Sequence, residues 1–136
     1  MEREEIQKRL KKELDKNRYE HTLGVMYTAG SLAMAYGYDY EKAMIAGLLH
    51  DIGKLEMAKY VYQKGQKPLT IEEIKYVRLH PTLGYAITSQ NHYSDFIIKS
   101  ILYHPENYDG SGFPSNLKED EIPIGARILR ICDVFA

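Results

Sequence analysis

The sequence predicts an all-α domain, and three observations carry that prediction. Apolar residues recur three and four apart along most of the chain, no segment alternates apolar and polar residues as a half-buried strand does, and helix-start and helix-stop residues punctuate the periodic runs. There is no internal repeat and no low-complexity segment. With 136 residues, 44% of them hydrophobic, the chain has the length of one domain, 1–136, able to bury one continuous core.

Taken in order, the first element sets Ile6, Leu10 and Leu14 on one stripe among charged residues, a short amphipathic helix ending near Asn17. A second helix, from about Arg18 to Tyr36, carries Val25, Thr28, Ala29, Leu32, Ala33 and Tyr36 on one face, with His21 beginning that stripe and Gly37 as its stop. A third runs from about Tyr40 to His50, where Ala43, Ala46 and Gly47 are small enough to let neighbouring helices approach closely. A short helix is expected from Glu56 to Tyr62, then a turn at Lys64-Gly-Gln-Lys-Pro68. Thr70 and Glu73 form a capping box that opens a helix reaching His80. Pro81 suits the first turn of another helix, running to about Gln90, and after a break at Asn91-His-Tyr-Ser94 a further helix shows Ile97, Ile101 and His104 on one face. Pro105 to Ile122 is a long loop containing glycine and proline, of a length that is usually functional or mobile in a compact domain. Pro123 opens a last helix in which Ala126, Leu129 and Asp133 share a face. The expected product is a compact bundle of about six to seven helices.

Eighteen basic and nineteen acidic residues nearly cancel, so no general positive field draws nucleic acid or an anionic membrane, and any recognition of phosphate must be local. Neither nucleic acid nor membrane is an expected partner. The single cysteine, Cys132, cannot close an internal disulfide, which suits a reducing cytoplasmic location. The N-terminus lacks the apolar core of a signal peptide, and no apolar run has the length to span a bilayer.

His21, His50, His104 and Asp133 each continue the apolar stripe of a helix, so each is expected to point inward. A lone histidine on an apolar face is more often a hydrogen-bonded core residue than a ligand. Four such residues on four helices favour convergence on a cation, because an interior carboxylate is costly unless paired or coordinating, and imidazole is a common transition-metal ligand. The adjacent His50 and Asp51 can supply one nitrogen and one oxygen to the same ion. In His-Asp-Ile-Gly-Lys54 the glycine permits a close turn, and Lys54 places a cation where phosphate oxygens would lie.

With these strings the chain resembles the HD superfamily of metal-dependent phosphohydrolases, and within it the HD-GYP branch. The superfamily's ordered ligands match His21, the His50-Asp51 pair and Asp133; the branch's features match Leu69-Thr-Ile-Glu-Glu73, His80-Pro-Thr-Leu-Gly84, His104-Pro-Glu-Asn-Tyr-Asp-Gly-Ser-Gly-Phe-Pro114 and Ile122-Pro-Ile-Gly-Ala-Arg-Ile-Leu129. The resemblance implies a bacterial signalling phosphodiesterase acting on cyclic di-GMP through a metal-activated hydroxide. It implies a first metal on His21, His50, Asp51 and Asp133, and a second on His80 and His104 with Asp51 as the bridge. Iron or manganese is favoured, with nickel or zinc as further options. Asp51 and Lys54 take the catalytic roles, while Lys54, Asp109, Gly110, Gly112, Phe113 and Pro114 are the expected substrate contacts.

The chain departs from the branch at several points. Pro105 stands where a second consecutive histidine is usual, Asn17 stands where three-metal members carry a glutamate, and Phe113 replaces the signature tyrosine. The family also continues beyond Ala136, so the domain is expected to be truncated or reduced at its C-terminus. Other residues receive structural readings: His92 as exposed, Cys132 as a buried small residue, the basic residues of 3–18 as a solvated helix face, and Asp109-Gly110 as a turn that also serves function. Two further functions remain open. Arg18-Tyr-Glu-His-Thr-Leu-Gly-Val25 also looks like the start of HD enzymes that cleave diadenosine tetraphosphate, and Pro105 would suit a degenerate sensor or interaction module.

Overall fold

The computed structural model describes residues 2–55, 68 and 70–135, the last of these by its backbone alone. Among them are seven α-helices: α1 Arg3–Glu13, α2 Lys16–Ala35, α3 Tyr40–Leu49, α4 Ile71–Val77, α5 His80–Ser89, α6 Asp95–Tyr103 and α7 Ile124–Phe135. Residues 52–55 are helical as well. No strand occurs among the described residues; Asp109 and Lys118 form an isolated antiparallel bridge inside the long loop, which also holds a 3-10 turn at Glu119–Glu121. The helix expected from Glu56 to Tyr62 and the turn before Pro68 lie outside the described residues.

Capping chemistry sets most boundaries and explains where they differ from expectation. α1 closes at Leu14 and α2 opens at Lys16, earlier than expected, because the Asp15 carboxylate accepts from the Arg18 backbone N–H at 2.9 Å and so caps α2. Asp39 does the same for α3 through Lys42, and Ser94 for α6 through Ile97. The Thr70 and Glu73 capping box is present. α4 ends at Val77, however, and a turn at Arg78 and Leu79 separates it from α5, so His80 opens α5 instead of closing α4. Pro81 then falls in the first turn of α5, where a missing N–H costs nothing.

The core is built around α2. Val25, Met26, Ala29 and Ala33 of that helix are fully buried, facing Ala43 and Ala46 of α3. A Cβ on Gly47 would lie 2.9 Å from the Met26 Cα, so glycine is what lets α2 and α3 approach this closely. Ile97 and Ile101 of α6 and Leu129 and Cys132 of α7 complete the same cluster, and Ile6 and Leu10 of α1 cover one side. Each fully buried valine, leucine, isoleucine or methionine in it contributes about 1.5–3 kcal/mol, and each alanine less. Among the described residues no helix is long and apolar enough to cross a membrane.

Candidate metal centre

The expected ligands converge. His21 comes from α2, His50 and Asp51 from the end of α3, His80 from the start of α5, His104 from the end of α6 and Asp133 from α7. They form two groups whose potential ligand atoms lie within 4.8 Å of one another: His21, His50, Asp51 and Asp133 in the first, and Asp51, His80 and His104 in the second.

Asp51 belongs to both groups, and its two oxygens divide between them. Oδ2 lies 3.2 Å from His50 Nε2 and 3.5 Å from Lys54 Nζ. Oδ1 lies 3.5 Å from His80 Nε2 and 3.7 Å from His104 Nε2. On the outer side of the first group, Asp133 Oδ1 is 2.9 Å from His21 Nε2 and 3.3 Å from His50 Nε2. One carboxylate thus faces two ligand sets, the disposition a bridging ligand needs.

Three imidazoles are aimed by the same local device. Nδ1–H of His50 donates to the Gly47 carbonyl at 2.6 Å, that of His80 to Val77 at 3.0 Å and that of His104 to Ile101 at 2.7 Å. Each acceptor stands three residues earlier, so the helical backbone orients the ring and presents the Nε2 lone pair of the neutral form to the centre. His50, His80 and His104 are buried, while His21 and Asp133 are half-buried at the rim. Inward pointing therefore holds fully for His50 and His104, but only in part for His21 and Asp133.

The residues fit a divalent transition metal. His50 Nε2, Asp51 Oδ1 and His80 Nε2 are buried without a hydrogen-bond partner, though buried polar atoms are rarely left so. Mixed imidazole and carboxylate ligation around such atoms suits iron, manganese, nickel or zinc. The electrostatics agree. Burial resists a charge on His50, yet Asp51 and Asp133 outweigh it and push the imidazole up to about 10. Burial likewise resists ionisation of Asp51 and Asp133, and His50 holds both carboxyls well below the usual carboxylate range. His104 is instead pushed down, chiefly by its own burial. Cys132 is buried beside Asp133 with its thiol pushed up to about 11 by burial and the neighbouring carboxylate, and it stands outside both ligand groups.

Gly53 explains how the two groups come together. A Cβ there would overlap the His80 carbonyl oxygen, so the glycine lets the turn after Asp51 press directly on the start of α5. Lys54 sits on the same turn, half-buried, with its ammonium beside Asp51.

The long loop holds itself together. The Asp109 carboxylate accepts from the Ser111 N–H and hydroxyl at 2.9 and 2.6 Å, Gly110 has φ +87°, and Gly112 lies too close to Glu106 and Asn107 for any side chain. Phe113 lies under the Arg78 guanidinium at 4.5 Å, ahead of a cis peptide to Pro114. Glu106, which the sequence motif contains without marking a role for it, has a buried carboxylate that accepts from the Ser115 and Leu117 N–H groups at 2.6 and 2.8 Å and anchors the loop. Arg130 of α7 adds a bond to Asn107 at 3.0 Å.

A cavity of about 360 Å3 opens on the first ligand group, within the range of small-molecule sites. His21, Asp51, Lys54 and Asp133 line it on one side, and α1 and the start of α2 form the other, including Leu10, Leu14 and Arg18. None of the five loop residues expected to touch substrate lines this cavity. Arg18 corrects the reading of 3–18 as a solvated face, because it is half-buried in the cavity wall.

The HD domain family model matches residues 6–136. The chain belongs to this family. As an HD domain it is 38% identical over 114 residues to the cyclic di-GMP phosphodiesterase response regulator RpfG of Xanthomonas campestris pv. campestris, a match covering 80% of the chain and 30% of RpfG. It is 33% identical over 115 residues to the symmetrical bis(5'-nucleosyl)-tetraphosphatase of Bacillus subtilis, covering 81% of the chain and 62% of that protein. A solved structure named as an HD superfamily hydrolase involved in NAD metabolism, from Clostridium acetobutylicum, superposes with a TM-score of 0.69 at 27% identity, covering 98% of this chain and 68% of that one. The HD domain here spans between 23% and 37% of the length of three cyclic di-GMP phosphodiesterases it matches.

Proposed function

We propose that this HD domain is a metal-dependent phosphodiesterase of the HD-GYP type that hydrolyses a cyclic dinucleotide, cyclic di-GMP first among them. The observation that carries this reading is the division of Asp51, one oxygen toward His50 and Lys54 and the other toward His80 and His104. In it, His21, His50, Asp51 and Asp133 would hold one cation and Asp51, His80 and His104 a second, with iron or manganese favoured. When bound, such cations make water nucleophilic at neutral pH and neutralise charge on phosphoryl oxygens.

The protein groups around them have separate tasks. Asp51 holds the two halves in register, and the Nδ1 hydrogen bonds of His50, His80 and His104 keep the rings from turning. Lys54 has three N–H donors and no lone pair when charged, so it stabilises negative charge on a non-bridging phosphate oxygen instead of ligating metal. Asp109, Gly110, Gly112, Phe113 and Pro114, in the loop whose conformation Glu106 fixes, stand outside the cavity on the first ligand group and would meet only a part of the substrate that extends beyond it. In this reading residues 1–136 form one HD domain.

A second reading, hydrolysis of a dinucleoside polyphosphate such as diadenosine tetraphosphate, is favoured by the cavity wall: Arg18 and His21 of Arg18-Tyr-Glu-His-Thr-Leu-Gly-Val25 both line it. One experiment separates the readings. The purified chain is loaded with iron or manganese, its metal content is measured, and cyclic di-GMP and diadenosine tetraphosphate are offered in parallel with chromatographic analysis of products. Linear dinucleotide or GMP from the first substrate is the expected result. Product from the tetraphosphate alone would replace the substrate, and tight metal binding without either product would make the domain a sensor or interaction module.

A further inference from the structure

Among the described residues two side-chain cations line the cavity, Lys54 and Arg18, and they are used differently. Lys54 is paired with Asp51 at 3.5 Å. Arg18 is half-buried in the same cavity, yet its guanidinium makes no hydrogen bond or ion pair among the described residues; its backbone N–H is engaged by Asp15. Arg3, Arg127 and Arg130, by contrast, all spend their guanidinium groups on protein oxygens. Glu13 and Asp15 also line the cavity, but both are exposed to solvent.

Position gives Arg18 a direction. It stands three residues before His21 on α2, hence on the same face and one turn, about 5 Å, further from the ligands along the axis. Its N-cap fixes the backbone from which the side chain leaves. A guanidinium presents a planar fork that matches phosphate oxygens two at a time, and it keeps its charge when partly buried. Leu10 and Leu14 lie beside it and offer apolar surface to a nucleoside.

We infer that Arg18 is a specificity-determining residue that grips a second phosphate of the substrate, one that is not being cleaved, while Lys54 serves the reacting one. This rests on the phosphodiesterase reading above. Substrates with two or more phosphates use the grip, and a simple diester with one phosphate does not.

The test uses the whole chain loaded with manganese, as wild type, Arg18→Ala and Arg18→Lys. Metal content is measured by elemental analysis, affinity for the linear dinucleotide pGpG by calorimetry, and KM and kcat with cyclic di-GMP, diadenosine tetraphosphate and bis(p-nitrophenyl) phosphate. Arg18→Ala should weaken pGpG binding and raise KM for two-phosphate substrates about ten- to a hundredfold, the loss expected for charged hydrogen bonds. Arg18→Lys should recover part of that, with metal content and bis(p-nitrophenyl) phosphate kinetics unchanged throughout. Unchanged pGpG affinity, or an equal loss toward the one-phosphate diester, would overturn the inference. Should wild type cleave the tetraphosphate and not cyclic di-GMP, with the same Arg18 dependence, the inference stands and the cyclic substrate falls. A wild type that neither binds pGpG nor cleaves any of the three would overturn both.

Discussion

The two halves of the centre share Asp51 and differ in almost everything else. The first half adds a second carboxylate, Asp133, draws on α2, α3 and α7, and opens to the cavity with Lys54 at its edge. Among the described residues the second half adds no carboxylate of its own, only His80 and His104, both buried at helix ends. Pro105 follows His104 and brings no side-chain ligand. In the proposed reading two negative charges and four ligands would make the first half the stronger cation site, while the second would depend on the shared Asp51 and complete its coordination from solvent or substrate oxygens.

Asp51→Asn should have the largest effect, since it removes the charge common to both halves. Both cations should be lost from stoichiometric binding, with phosphodiester turnover down at least about a thousandfold; elemental analysis paired with a hydrolysis assay reads both. Lys54→Ala should act on the first half alone and leave metal content near normal while turnover falls roughly ten- to a thousandfold. Equal rates with and without Lys54 in metal-loaded protein would remove it from catalysis.

Acidity should also separate the halves. The raised pKa of His50 means that its Nε2 carries a proton at neutral pH that an incoming cation must displace. Affinity at the first half should therefore rise about tenfold per pH unit between pH 6 and 8, one proton being released per cation. His104 is pushed down instead, chiefly by its burial, so the second half should respond less steeply above pH 7. Metal titrations at several pH values measure the two slopes, and equal slopes would erase the distinction.

Gly53→Ala is the mildest change and should strike the second half. Its Cβ would force the turn after Asp51 away from His80, costing about 1–3 kcal/mol of stability as overpacking does. Denaturant unfolding reads the stability, and the ratio of weakly to tightly bound metal reads the site. Loss confined to the tightly bound cation would reverse the assignment of Gly53 to the second half.

Much of this was legible before any coordinates. Apolar spacing and the caps at Thr70 and Ser94 gave the helices, and His21, His50, His104 and Asp133 stood on apolar stripes, while His80 was marked only by the family resemblance. Boundaries slipped where a cap was overlooked: Asp15 moved the start of α2, and the turn at Arg78 and Leu79 moved His80 from the end of one helix to the start of the next. Glu106 and Arg18 escaped for different reasons. A loop has no period to show which side chain turns inward, and the surface around Arg18 becomes a cavity wall only when α1 folds beside α2 and α3.

Anomalous scattering from crystals grown with limiting manganese tests the central claim most directly. The account predicts a strong peak among His21, His50, Asp51 and Asp133, and a weaker one beside His80 and His104 with Asp51 between them and non-protein oxygens in its shell. Two equally occupied ions, each with a complete shell of protein ligands, or ions bound away from Asp51, would contradict it.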